Sequence, residues 1–248
     1  MIKKDNYSNN ILEKYRNSDR NNYDCVFHLD GTFENIAILH HLKFIHKMNP
    51  LGVTLNHFDY DNSHKINIRK SLEVYDVDHI MFAPGLSVIE RLKTTYPEAF
   101  NSLVNQAINS FLFMSAKRYN LKLCVTSLNM NSLLKCETND DIILLKKMLT
   151  QLKIIDVNNL LNENFTEFDL LPYKFPNKEI KNSDLHLLNP LNSFNLSEPS
   201  ISEFINQNFS FDKLEDVDNH LFWLGFTDDW EFDKNSNTNR KKTNYEIL

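Results

Sequence analysis

The sequence predicts an α/β protein in which a parallel sheet carries helices on both faces, followed by a small, mostly helical C-terminal subdomain. Three observations lead there. The stretch Val26-Phe27-His28-Leu29 is a short strand, Asp30-Gly31-Thr32 a tight turn, and the residues onward to Lys47 place apolar side chains at three- and four-residue spacing, as a helix does. Strand and helix signals then alternate, with connections long enough to make the strands parallel and their crossovers right-handed. Beyond Asn131, Pro172, Pro176, Pro190 and Pro199 break the chain into short pieces, which marks a change of architecture.

Taken in order, residues 1–22 are a polar arm with a short helix at Ile11 to Tyr15. The first strand runs from Asp24 to Leu29 and the first helix from Thr32 to Lys47, where Asn49-Pro50 ends it because a proline ring disfavours α geometry in the preceding residue. Leu51 to Leu55 is the second strand and Asp59 to Asp61 a turn. Ser63 caps a helix carrying Ile66, Ile68, Leu72 and Val74. Asp78 to Ala83 is the third strand, Ser87 to Thr95 a short helix, and Pro97 to Tyr119 a longer one with Leu103, Ala107, Ser110, Phe111 and Met114 along one side. Leu121 to Thr126 is the fourth strand and ends in Ser127-Leu128-Asn129. Asp140 to Leu152 and Asp156 to Asn162 read as helices, as do Ile201 to Asn206 and Leu214 to Leu224. The expected organisation is an arm over 1–22, an α/β domain over 23–165, a subdomain over 166–232 and a polar tail over 233–248.

Composition narrows the function classes. With 42% hydrophobic and 24% charged residues the chain has an ordinary globular make-up. A formal net charge of −6 offers no footprint for nucleic acid, and the one basic cluster, Arg240-Lys241-Lys242, lies in the tail. Cys25, Cys124 and Cys136 form no CxxC pair, the first two lie inside expected strands as small apolar residues, and no metal ligand set is assigned. No stretch reaches the roughly eighteen apolar residues of a membrane span, and the N-terminus leads into no signal-like run. A cytoplasmic protein in a reducing compartment is expected.

Around the first turn the sequence resembles the PP-loop ATPases, most closely the N-acetyl sugar amidotransferases of surface polysaccharide (lipopolysaccharide, O-antigen) biosynthesis. That family runs from a Tyr-Asp-Cys-like strand into Ser-Gly-Gly-Lys-Asp-Ser and on to Asn-Pro-Leu-x-Val-Thr-Phe-x-His. Here Tyr23-Asp24-Cys25 leads into Asp30-Gly31-Thr32-Phe33-Glu34-Asn35, and Asn49-Pro50-Leu51-Gly52-Val53-Thr54-Leu55-Asn56-His57 follows. Val77-Asp78-His79-Ile80 extends the likeness, as does Asn129 where the family has Gly-Glu-Asn, and Leu224-Gly225-Phe226 resembles a late Leu-Gly-Trp. The resemblance implies a Rossmann-like sheet of the PP-loop type, with the ends of the first and fourth strands meeting at one crevice. It also implies a loop that holds ATP phosphates with Mg2+, adenylylation of a substrate oxygen, and displacement of AMP by ammonia from a separate glutaminase. Within the loop the likeness breaks. One glycine of two remains, Phe33 replaces the lysine, and Asp30 brings a carboxylate where the family has a hydroxyl.

On this reading Gly31, Thr32, Asn35, Thr54, His57, Ser127 and Asn129 are the nucleotide-binding candidates, and Asp30 and Glu34 the catalytic ones. Asp59 joins His57 on the same analogy. Three functions stay open: an amidotransferase-like protein whose nucleotide site is impaired or repurposed, a pseudoenzyme bound to a sugar or to an active paralogue; an active ATP- and Mg2+-dependent amidotransferase working on an N-acetyl sugar and fed by glutaminase subunits; and a carboxylate- or metal-based enzyme using Asp30 and Glu34 as acid and base. Asp30 as a helix N-cap, Glu34 as a first-turn acid and His28 as a core histidine are the structural alternatives.

Overall fold

The computed structural model describes residues 12–17, 22–57, 62–128, 142–161, 164–191 and 194. All of them belong to the first of two units into which the chain divides, Met1–Asp212 and Lys213–Leu248. The expected helices at Ile201 to Asn206 and Leu214 to Leu224, the expected tail and the turn at Asp59 to Asp61 lie outside the described residues.

The fold is Rossmann-like α/β. Strand β1 (Cys25–His28) is followed by α1 (Phe33–His40), which continues as a π-helical turn, His41–Ile45. Next come β2 (Pro50–Leu55), α2 (Asn62–Tyr75), β3 (His79–Phe82), α3 (Leu86–Thr95), α4 (Pro97–Arg118) and β4 (Leu123–Val125). Then follow β5 (Ile142–Leu144), α5 (Leu145–Met148), α6 (Glu167–Leu170), α7 (Asn177–Lys181) and β6 (His186–Leu188), with 3-10 turns at Leu149–Gln151, Val157–Leu160 and Leu171–Tyr173. The sheet order is β3-β2-β1-β4-β6-β5. Every neighbouring pair is parallel except β5 with β6. From β1 the chain builds outward through β2 and β3, then returns to the other side of β1 to lay down β4. That reversal falls at the carboxyl ends of β1 and β4, the edge where sheets of this kind form a crevice and take ligands.

Strand β1 is buried on both faces, which explains its near-continuous apolar run. Cys25, Phe27 and Leu29 pack with Ile36, Ala37 and Leu39 of α1 and with Ile68 and Tyr75 of α2. Val26 joins Leu51, Val53 and Cys124 against Leu112, Phe113 and Ala116 of α4. Cutting a side chain such as Phe27 back to alanine in such a layer costs about 3–5 kcal/mol. Leu55 leads into a third cluster of α3 and α4, closed by Val157, Phe165, Leu170 and Tyr173. Gln106 of α4 clamps that cluster: its amide donates to the carbonyls of Ile155 and Tyr173 and accepts from the Ile155 N–H.

Three expectations are corrected. Residues 140–152 do not form one helix, because Ile142–Leu144 pairs antiparallel with β6 and Leu145 N–H bonds the Leu185 carbonyl. The helical spacing was that of a short apolar run, and an exposed sheet edge supplies the ladder that decides its state. The expected helix from Asp156 to Asn162 is a 3-10 turn, Val157–Leu160, opened by the Asp156 carboxylate on Asn158 N–H. Ser63 lies inside α2 rather than capping it, since the helix already begins at Asn62. The sheet also takes β6 from beyond residue 165, inserted between β4 and β5. No helix among the described residues is long and apolar enough to cross a membrane.

Candidate functional site

The crevice is built where β1 ends. Asp30, Gly31 and Thr32 turn the chain into α1, and Thr32 is the N-cap, its hydroxyl accepting from Asn35 N–H and its carbonyl from Ile36 N–H. Asp30 is therefore not the cap. Its carboxylate folds back over the turn instead, Oδ1 accepting from Thr32 N–H at 2.9 Å and from the Thr32 hydroxyl at 2.8 Å. Oδ2 accepts from Ser127 Oγ, at the end of β4, at 3.3 Å.

Asn35 ties these pieces together from the first turn of α1. It is fully buried, accepts from Asp30 N–H, and donates to the His28 carbonyl and, at 3.5 Å, to Ser127 Oγ. Asp30, Gly31, Thr32, Asn35 and Ser127 are therefore neighbours here, the placement that the resemblance implies.

Gly31 is in the left-handed region at φ +78°, which a glycine adopts without strain. Its carbonyl accepts from Asn67 of α2 at 2.8 Å. A Cβ added to Gly31 would lie 2.3 Å from the His64 carbonyl oxygen, so the backbone of α2 closes one side of the turn. Phe33 is 41% exposed where the resemblance places a lysine. Glu34 occupies the first turn of α1, half-buried, with no hydrogen bond or ion pair among the described residues that would draw it toward Asp30.

Thr54 lies on β2 and is used internally: its hydroxyl donates to the Leu29 carbonyl and accepts from His79 Nε2–H at 2.8 Å. Because that hydroxyl proton is committed to Leu29, His79 must be the Nε2–H tautomer. Burial pulls its pKa down to about 4. His57 lies two residues past β2 and is half-buried, and Asn129 and Asp59 lie outside the described residues. Cys25 and Cys124 are buried free thiols in the sheet, which is the apolar role their positions predict.

Two residues at the site carry no sequence signal as site residues. Asn189, just past β6, donates to the carbonyls of Leu128 and Ser127 at 2.8 and 3.4 Å and so fixes the end of β4. Sixty-one or more residues separate these partners, and no spacing could reveal them. His28 is read from sequence as a core histidine and is buried, yet among the described residues both ring nitrogens lack a hydrogen-bond partner, and Nδ1 lies 3.8 Å from Asp30 Oδ2. Burial lowers its pKa against the opposing pull of the Asp30 charge.

A cleft of about 400 Å³ opens at the opposite, amino edge of the sheet, lined by Lys117, Lys122, Lys178 and Asp184 among others. Lys117 lies there in the last turn of α4, where a cation complements the helix C-terminus. No three His, Cys, Asp or Glu side chains gather into a metal-binding group among the described residues.

No family model and no curated protein matches the chain. Among solved structures it is similar to the NMN synthetase of Francisella tularensis, with 12% identity over 83% of this chain and 84% of that one and a TM-score of 0.39.

Proposed function

We propose that this chain is an N-acetyl sugar amidotransferase-like protein of surface polysaccharide biosynthesis whose crevice has been turned away from ATP, and which acts by binding a sugar or a partner protein. One observation carries the loss of ATP chemistry: the turn between β1 and α1 is closed on itself. Its donors at Thr32 and Asn35 are spent within the turn, and α2 covers Gly31. A triphosphate needs a curled backbone with free N–H groups and a cation against its charge. Phe33 stands where the cation would be, and the Thr32 and Asn35 N–H groups are already bonded, so no step is assigned to ATP or Mg2+ here.

The sugar assignment rests on the likeness of the stretches at Asn49 to Thr54 and Val77 to Ile80. On the same ground the partner is an active paralogue or the glutaminase subunits of such a system.

The test is calorimetry and thermal shift with ATP, with and without Mg2+, on the wild type and Glu34→Ala. A ligand at a hundred times its dissociation constant stabilises by about 2.7 kcal/mol, which moves a melting temperature by several degrees. No binding at millimolar ATP is expected. Mg2+-dependent binding that Glu34→Ala abolishes would overturn the reading and restore an active amidotransferase with Asp30 and Glu34 at the metal. N-acetylglucosamine probes the sugar half, and no saturable binding by about 10 mM would retire that ligand class.

A further inference from the structure

Three elements converge on one point in the crevice. The turn entering α1 offers Thr32 N–H and the Thr32 hydroxyl, β4 ends in the Ser127 hydroxyl, and β1 aims His28 from below. Hydroxyls, a backbone N–H at the positive end of a helix and an imidazole are what an oxyanion is bound by. His28 is the telling member. It is 2% exposed, and among the described residues neither ring nitrogen has a hydrogen-bond partner, a costly state for a buried polar group unless something beside it needs the donor. Its Nδ1 lies 3.8 Å from the Asp30 oxygen that Ser127 also contacts. The place an external anion would take is filled by a carboxylate of the chain itself.

We propose that Asp30 sets the specificity of the crevice: its carboxylate occupies the oxyanion position formed by Thr32, Ser127 and His28, so the wild type rejects phosphate-bearing ligands and loss of that carboxylate opens a phosphate site. The inference rests on the carboxyl-edge crevice being the ligand site, as in the proposed function. A phosphate entering the wild type meets a like charge about 4 Å away, which at an effective dielectric near 20 lowers affinity on the order of a thousandfold. Asp30→Ser removes both the charge and the Oδ2 atom, while its shorter hydroxyl still reaches Thr32 N–H. Asp30→Asn removes the charge and leaves the position filled.

The experiment titrates inorganic pyrophosphate by calorimetry into the wild type, Asp30→Ser, Asp30→Asn, and Asp30→Ser combined with His28→Phe, with circular dichroism to check that each is folded. Pyrophosphate is expected to be ignored by the wild type and bound by Asp30→Ser at least roughly a hundredfold more tightly. Asp30→Asn gains about tenfold, and His28→Phe removes about tenfold of the serine variant's gain. A folded Asp30→Ser that binds no better than the wild type would show that Asp30 only shapes the turn, and the proposal falls. Equal binding by wild type and variant also overturns it. If Asp30→Ser does not fold, Asp30→Asn decides, because it keeps the acceptor for Thr32, and no gain there sinks the idea. The outcomes keep the two readings distinguishable: Mg2+-dependent ATP binding by the wild type overturns both, whereas absence of any gain in the variants ends only the specificity role of Asp30 and leaves the proposed function standing.

Discussion

Gly31 is the residue on which the shape of the crevice most depends. Its φ of +78° is costly for any residue with a Cβ, and that Cβ would meet the backbone of α2 at the His64 carbonyl rather than a side chain free to swing away. Gly31→Ala is therefore expected to lower stability by about 2–4 kcal/mol, read as a drop in the urea midpoint at unchanged slope. A loss below about 0.5 kcal/mol would mean that α2 yields to the methyl group and does not hold the turn. The sequence shows the turn and the need for its glycine, because both follow from local chain geometry. The sequence does not show which side chain caps α1. Asp30 and Thr32 are both good caps by type, and the choice falls to Thr32 because the Asp30 carboxylate is drawn back by Thr32 N–H and by Ser127 from another strand.

At the scale of elements, β3, β2 and the end of β1 are joined by a chain of side-chain hydrogen bonds from His79 through Thr54 to the Leu29 carbonyl. That chain makes the sheet edge sensitive to pH. His79 is held neutral by burial, with its pKa near 4 in the folded protein, against about 6.5 when unfolded. A histidine with a depressed folded pKa contributes stability that is complete above pH 6.5 and is lost as pH falls toward 4. His41 on the π-helical turn titrates over the same window, lowered to about 4 by burial first and then by His40 and His46. Urea unfolding at pH 7, 6, 5 and 4 is expected to show stability falling across that window, with roughly 2 kcal/mol of the fall due to His79. His79→Phe should flatten the profile in part. An unchanged slope in that variant would mean that the strand edge opens enough for His79 to titrate as it does in the unfolded chain. Elements with long, periodic sequences were legible to within a residue or two, as α3 and α4 show. Ile142–Leu144 was not, because three apolar residues fit a helix or a strand equally and the partner that decides lies more than forty residues away.

For the whole molecule, the sheet extends in sequence as far as β6. A boundary at 165 would leave β4 and β5 without the strand between them. It would also remove Phe175, Ile180, Leu185 and Leu187 from the second core, Leu170 and Tyr173 from the third, and the Tyr173 carbonyl from Gln106. Six buried side chains at about 1.5–3 kcal/mol each come to roughly 9–18 kcal/mol, as large as the net stability of a typical domain. A chain cut after residue 165 is thus expected to show no cooperative unfolding transition, whereas one cut after Asp212 keeps every contact named above and is expected to unfold in a single cooperative step. Circular dichroism against urea separates these outcomes. The sequence could not, because β6 has only three residues and sits among prolines that suggest loops. If the shorter chain did unfold cooperatively, β6 would be an addition to a sheet complete without it, and the crevice, which needs Asn189 to fix the end of β4, would be expected to lose its shape while the fold survived.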